Sequence, residues 1–268
     1  MTRPVIIQIS AISDPRIADY TSVRERDLTG RDGKFIIEGK VTLEVAFMRS
    51  RFELESLFLA ESRLEPLKGL LEKVPDNVPV YTAPQSLMDD VVGFPIHRGI
   101  LACGKKPEQP GLTDWLNARH DAKTLVLAIG LSNHDNAGAV FRNAAALGAD
   151  AILMDEEGCD PLYRKSIRVS AGTALWLPYF HGETAETLFA AIEQAGYELW
   201  TMTPDGRANI ISTLSRPEKL CLVLGPEGPG LSTDLIARGR AVRIPMANEV
   251  DSLNVATSLA IALSHTMS

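Results

Sequence analysis

The chain has 268 residues, 45% hydrophobic and 23% charged, an ordinary globular composition long enough for about two domains. No stretch reaches the ~20 apolar residues that cross a bilayer, and the N-terminus MTRPVIIQISAISD lacks a small-residue cleavage pattern, so neither a membrane partner nor a signal peptide is expected. The net charge of −7 argues against a general nucleic-acid binder, and three widely spaced cysteines, Cys103, Cys159 and Cys221, point to a reducing, cytoplasmic compartment without disulfides or a structural metal.

The first thirty or so residues read as an extension of mixed character. KFIIEGKVTLEVAFMRS then predicts a strand running into a helix, and ELESLFLAES and VPVYTA add strands, which together predict a small α/β domain. Charge is uneven here: Arg24, Arg26, Arg31, Lys34, Lys40, Arg49 and Arg51 crowd one stretch. A solvated surface explains that run, and so does a local positive face that meets phosphates on an acidic protein. The Pro- and Gly-broken stretch CGKKPEQPGLTDW, residues 103–115, is the expected boundary, dividing 1–110 from 111–268.

Beyond it, TLVLAIG (124–130), DAILM (150–154), YELWTMT (197–203), CLVLG (221–225) and AVRIPM (241–246) alternate with helical stretches at 138–148, 184–195, 232–239 and 252–265. Continuous apolar strands of this kind predict a parallel sheet covered by helices on both faces. Ligands then bind beyond the carboxyl ends of the strands.

Three loops there are unusual. In DNAGAVFRNAAALGAD, residues 135–150, Arg142 has Gly138, Ala139, Ala145 and Ala146 as its helical neighbours, none of which can pair with a guanidinium. Asn136 reads as that helix's cap. In LGPEGPGLS, Gly225, Gly228 and Gly230 alternate with Pro226 and Pro229, and Glu227 is the only charge. That loop lacks the Gly-Lys-Ser/Thr ending of a phosphate loop, and it suits a neutral or cationic small molecule better; Ser232 reads as the next cap. In IPMANEVDSLNVATSLAIALSH, Ser252 or Asp251 reads as the cap of a helix apolar nearly all round, which belongs in a core or interface.

Together these stretches closely resemble the three motifs of the SpoU (TrmH) branch of the SPOUT RNA methyltransferases. The match is Asn136-x-Gly138-x-x-x-Arg142, then Gly225-Pro-Glu227-Gly228-x-Gly230, then Ile244-Pro-Met246 with Ser252-Leu253-Asn254. Order and spacing agree over roughly residues 122–268, and the N-terminal half looks more loosely like that family's ribosomal-protein-like RNA-binding domain. Departures are small: His134-Asp135 replaces the frequent Asp-Pro, Asn143 the frequent Thr, and Ala256-Thr257-Ser258 a Ser-Val-Ala type run.

The resemblance implies a homodimeric, S-adenosyl-methionine-dependent enzyme that methylates a ribose 2′-hydroxyl of tRNA or rRNA, with the cofactor in a trefoil knot and no role for DNA. It implies that Leu224, Gly225, Gly228, Ile244, Met246 and Leu253 bind the cofactor. Asn136, Glu227, Ser252 and Asn254 match positions that shape the site or support the catalytic residue, and Arg142 matches the catalytic arginine. As a base Arg142 would be demanding, since guanidinium groups stay protonated; holding a phosphate and stabilising the developing alkoxide is easier. Two alternatives stay open at this point: an rRNA methyltransferase that confers antibiotic resistance, and a non-catalytic RNA-binding protein of the same fold.

Overall fold

The computed structural model describes residues 5–21, 33–247 and 250–267. In chain order its elements are β1 (Ile6–Gln8), β2 (Lys34–Glu38), α1 (Lys40–Arg49), β3 (Glu53–Ala60), α2 (Lys68–Leu71), β4 (Val80–Ala83), α3 (Gln85–Val92), β5 (Ile100–Lys105) and α4 (Leu112–Asn117). There follow β6 (Thr124–Ala128), α5 (His134–Ala146), β7 (Ala151–Met154), α6 (Arg164–Val169), β8 (Tyr179–His181) and α7 (Ala185–Gln194). The last six are β9 (Glu198–Met202), β10 (Asn209–Ile210), β11 (Leu220–Leu224), α8 (Thr233–Ala237), β12 (Arg240–Arg243) and α9 (Val255–Thr266). None of these helices is long and apolar enough to cross a membrane.

The chain divides into two compact units: Met1–Glu108 with Leu162–Trp176, and Gln109–Pro161 with Leu177–Ser268. The division is not contiguous, whereas the sequence predicts a single boundary between residues 110 and 111. Leu162–Trp176 belongs with the first unit because its side chains are satisfied there. Arg164 pairs with the buried Glu38 carboxylate and lies 4.9 Å over the Phe94 ring, and the Arg51 N–H donates to the Leu175 carbonyl at 3.0 Å.

In the first unit, β1, β4 and β3 run parallel and β5 is antiparallel to both β3 and β2, in the order β1-β4-β3-β5-β2. What reads as an N-terminal extension is in part an edge strand: Ile6 pairs opposite Val80, and Ile9, Ile17 and Tyr20 are fully buried. The Tyr20 hydroxyl is hydrogen-bonded to Ser56 Oγ at 2.8 Å, so its one polar atom is satisfied. A three-residue strand leaves too little alternation to be read from sequence. Of the basic run, the Lys34 ammonium lies 2.8 Å from Asp19 and 3.1 Å from Glu55, and Lys40 lies 3.8 Å from Glu44. Arg24, Arg26 and Arg31 lie outside the described residues.

The second unit is a seven-stranded, wholly parallel sheet in the order β10-β12-β9-β11-β6-β7-β8. Every residue of β6, β7 and β11 is buried, as continuous apolar runs require. Trp115 of α4 and Leu188, Phe189 and Ile192 of α7 share a core with Leu125, Leu127 and Cys221 of the sheet. Helices α5 and α9 pack on each other; Phe141 of α5 meets Tyr179 of β8 edge-on with centroids 5.5 Å apart, and Leu259 and Leu263 of α9 are fully buried. From β6 the chain moves one way to β7 and β8, whereas β11 is inserted between β6 and β9. The order reverses between β6 and β11, and a parallel sheet opens a crevice at such a point.

Candidate active site

Two loops leave the sheet side by side at that reversal. After β6 the chain stays tied to β11 through the Ile129 N–H, which donates to the Leu224 carbonyl at 2.9 Å. At Gly130 it turns with φ +60°, a conformation costly for other residues, and the Gly130 N–H donates to Asp155 Oδ1 at 2.9 Å. Asp155 is 2% exposed, and burial raises its carboxyl pKa above the usual range, opposed by the Gly130 hydrogen bond. Asn133 then starts α5, its side chain accepting from the N–H groups of Asp135 (2.8 Å) and Asn136 (3.3 Å).

Asn136 is therefore not the cap, which corrects the reading from sequence. Its side chain instead bridges two other segments. Nδ2 donates to the Glu227 carboxylate, and Oδ1 accepts from Asn254 Nδ2 at 2.9 Å. Asn254 is itself the cap of α9, its Oδ1 accepting from the N–H groups of Ala256 (2.9 Å) and Thr257 (3.3 Å), so neither Ser252 nor Asp251 caps that helix. The amide orientations follow from one another. Two backbone N–H groups fix the Asn254 oxygen, its NH₂ must face an acceptor on Asn136, and the Asn136 NH₂ is then aimed at a carboxylate that can only accept. Asn143, two turns further along the same face of α5, donates to the Ala256 carbonyl at 2.8 Å and holds α5 against the start of α9.

The loop after β11 folds back on itself. A Cβ on Gly225 would lie 2.5 Å from the Leu231 nitrogen and 2.8 Å from the Gly230 carbonyl carbon, so only glycine fits there. The Pro226 carbonyl accepts from the Gly230 N–H at 3.2 Å, closing the turn that carries Glu227 outward. Ser232 caps α8 as its sequence position predicts, accepting from the Leu235 N–H at 3.3 Å.

The loop after β11, with those after β9 and β12 and the start of α9, encloses a pocket of about 590 Å³. Its walls are Met202–Asp205 after β9, Leu224–Leu231 after β11, Ile244 and Met246 after β12, and Ser252–Val255 with Ser258 at the start of α9. Among the described residues, the charged ones in the lining are Asp205 and Glu227. Asp205 is held by Arg207, with Nη2 at 2.6 Å from Oδ2, and that hydrogen bond lowers its pKa to about 2. The space is of nucleoside size, apolar along Leu224, Ile244, Met246 and Leu253, and its charges favour a cation. S-adenosyl-methionine, a nucleoside carrying a sulfonium, fits on all three counts.

Of the residues expected from sequence, Leu224, Gly225, Glu227, Gly228, Ile244, Met246, Ser252, Leu253 and Asn254 line the pocket, and Asn136 reaches it through Glu227 and Asn254. Arg142 does not line it. It is exposed on α5, about 9 Å further along the helix axis than Asn136, and no hydrogen bond or ion pair holds it among the described residues. Sequence reasoning missed Thr203–Asp205 and Asp155, each of which follows the carboxyl end of a parallel strand.

The sequence profile of the SpoU rRNA methylase family matches residues 123–264, more than half of the chain. The protein belongs to this family. An uncharacterized tRNA/rRNA methyltransferase of Mycobacterium tuberculosis is 36% identical over 258 residues, covering 93% of this chain and 87% of that one. Among solved structures, an RNA 2′-O ribose methyltransferase superimposes with a TM-score of 0.76 at 26% identity, covering 97% of each chain. An rRNA methyltransferase from Sinorhizobium meliloti, solved with AdoMet bound, superimposes with a TM-score of 0.80 at 19% identity over 97% of each chain and shares the fold. For a SpoU methylase, the loops that enclose the pocket are the second and third motifs, and the asparagine that bridges them is the first motif's.

Proposed function

We propose that the protein transfers a methyl group from S-adenosyl-methionine to a ribose 2′-hydroxyl of tRNA or rRNA. The observation that carries this reading is the hydrogen-bonded series Glu227–Asn136–Asn254, which joins one residue from each motif at the rim of a pocket whose charged lining, among the described residues, is negative. The bound cofactor supplies an electrophilic methyl group. Leu224, Gly225, Gly228, Ile244, Met246 and Leu253 hold it, while Asn136, Glu227, Ser252 and Asn254 keep the loops in register so that the methyl faces outward. Most of the acceleration in such a transfer comes from positioning.

Arg142 is the catalytic residue in this reading, gripping the phosphate beside the target ribose and stabilising the alkoxide as its proton leaves. Because Arg142 lies outside the pocket's lining in its own chain, we place it at the pocket of a second copy. The protein is then a homodimer that pairs through α5 and α9. Ile244, Met246 and Ser252–Asn254 line the same pocket as the Leu224–Leu231 loop, and we infer a trefoil knot there. The first unit binds the RNA. The compartment is the cytoplasm, consistent with an RNA substrate and with three cysteines of which none forms a disulfide among the described residues. Incubation with methyl-labelled S-adenosyl-methionine and separate tRNA and rRNA pools tests the reading: label enters at least one pool, and absence of label from both refutes it.

A further inference from the structure

We propose that Arg49, Arg51, Phe52 and Trp176 form a platform on the first unit on which unpaired bases of the RNA substrate stack. This inference rests on the RNA methyltransferase reading and assigns a contact surface outside the cofactor pocket. The Arg49 guanidinium carbon lies 5.2 Å from the centre of the Trp176 ring, and that of Arg51 lies 4.8 Å from the centre of the Phe52 ring. The Arg51 N–H donates to the Leu175 carbonyl at 3.0 Å, so the backbone sets the two stacked pairs side by side. Phe52 is anchored from behind, its ring meeting Phe35 edge-on with centroids 5.3 Å apart.

Three features point to nucleotides as the occupant. Trp176 is the one partly exposed tryptophan of three; Trp115 and Trp200 are 2% and 1% exposed. Arg49 is exposed and has no acidic partner among the described residues. A guanidinium seated over an aromatic ring offers a further planar face to a base, and the N–H groups of Arg49 are placed to meet a phosphate. Lastly, Arg164 and Arg168 both pair with the one buried carboxylate of Glu38, which leaves surplus positive charge on α6, just ahead of Trp176 in the chain. On a protein of net charge −7, RNA must approach through local faces of this kind. Flat aromatic and guanidinium planes read bases that are splayed out, whereas a paired A-form helix hides its base faces.

The test uses the full-length protein, a twelve-nucleotide oligouridine and, for contrast, a paired RNA duplex of the same length. Oligouridine should quench the tryptophan emission, with buried Trp115 and Trp200 as constant background, and the duplex should quench much less. By anisotropy of labelled oligouridine, Trp176→Leu should bind about tenfold more weakly, as loss of one stacked base predicts, while Trp176→Phe retains most of the affinity. Arg49→Ala should lower the slope of log affinity against log salt by about one. Absence of quenching, or unchanged affinity in Trp176→Leu, overturns the platform. So does an emission change that follows protein concentration without RNA, because the face is then a contact between protein chains. Label transfer on the same preparation separates the two readings: transfer without quenching refutes the platform alone, and quenching without transfer to tRNA or rRNA refutes the methyltransferase.

Discussion

Asn254 does two jobs that one substitution can separate. Its Oδ1 caps α9, and its Nδ2 donates to Asn136. Asn and Asp are equivalent as caps, so Asn254→Asp should leave the melting temperature near that of the wild type, whereas Asn254→Ala should lose about 1 kcal/mol, or roughly 2–4 °C in a unit of this size. The network responds differently. In Asn254→Asp the Asn136 oxygen faces an acceptor, and an amide flip that relieves this turns the same oxygen towards Glu227. Either way the series is one hydrogen bond short, worth about 0.5–1.5 kcal/mol for a neutral amide bond, and the Asn136 oxygen is left facing a carboxylate. The facing of that oxygen towards a carboxylate adds to the lost bond and places the total near the upper end, about 1.4 kcal/mol or tenfold. The added negative charge should by itself favour a cationic ligand, which makes a loss diagnostic. Calorimetry with S-adenosyl-methionine and single-turnover methyl transfer, each beside a melting curve, should therefore show a stable variant about tenfold impaired. Wild-type binding and transfer in Asn254→Asp would refute the functional role of the network.

Other predictions follow from neighbouring observations. Arg142→Ala should keep cofactor affinity while transfer falls by ~3 kcal/mol or more, and Arg142→Lys should recover little because an ammonium lacks the planar fork; near wild-type transfer returns Arg142 to an ordinary surface residue. Sedimentation at micromolar concentration should give a dimer, and a monomer there removes the placement of Arg142 at a partner's pocket. Asp155, its pKa raised by burial, contributes stability at low pH that is lost as pH rises through its folded-state value. Asp155→Asn should then melt above the wild type at neutral pH, with the gap closing towards the ordinary carboxylate range; a gap that widens on acidification contradicts the sign. Gly225→Ala should abolish cofactor binding before it unfolds the protein, because its Cβ would collide with the Leu231 nitrogen at the pocket wall.

Much of the site is legible in the sequence because its residues sit where chain geometry makes them odd: a Gly/Pro-rich loop straight after CLVLG, and an unpaired arginine on a small-residue helix. The strands with long apolar runs are equally plain. What is not legible depends on partners distant in sequence. Asn133, Asn136, Asp251, Ser252 and Asn254 can all cap a helix, and only the packing of α5 on α9 decides that Asn133 and Asn254 do so while Asn136 bridges. Strands β8 and β10, of three and two residues, carry no period to read. Nor does anything local to Leu162–Trp176 reveal that Glu38, Phe94 and Arg51, far away along the chain, supply its contacts. For this reason a fragment that starts near residue 109 would leave that segment without its partners, and cofactor binding is properly measured on the full chain.

The central claim is methylation of the ribose oxygen, and alkaline hydrolysis of the labelled RNA tests it most directly. A methyl group on the 2′-oxygen removes the nucleophile that cleaves the adjacent phosphodiester. The account predicts that the label transferred by the wild-type protein is recovered in an alkali-resistant dinucleotide. Recovery of all the label in alkali-released mononucleotides would place the methyl on a base and contradict the account.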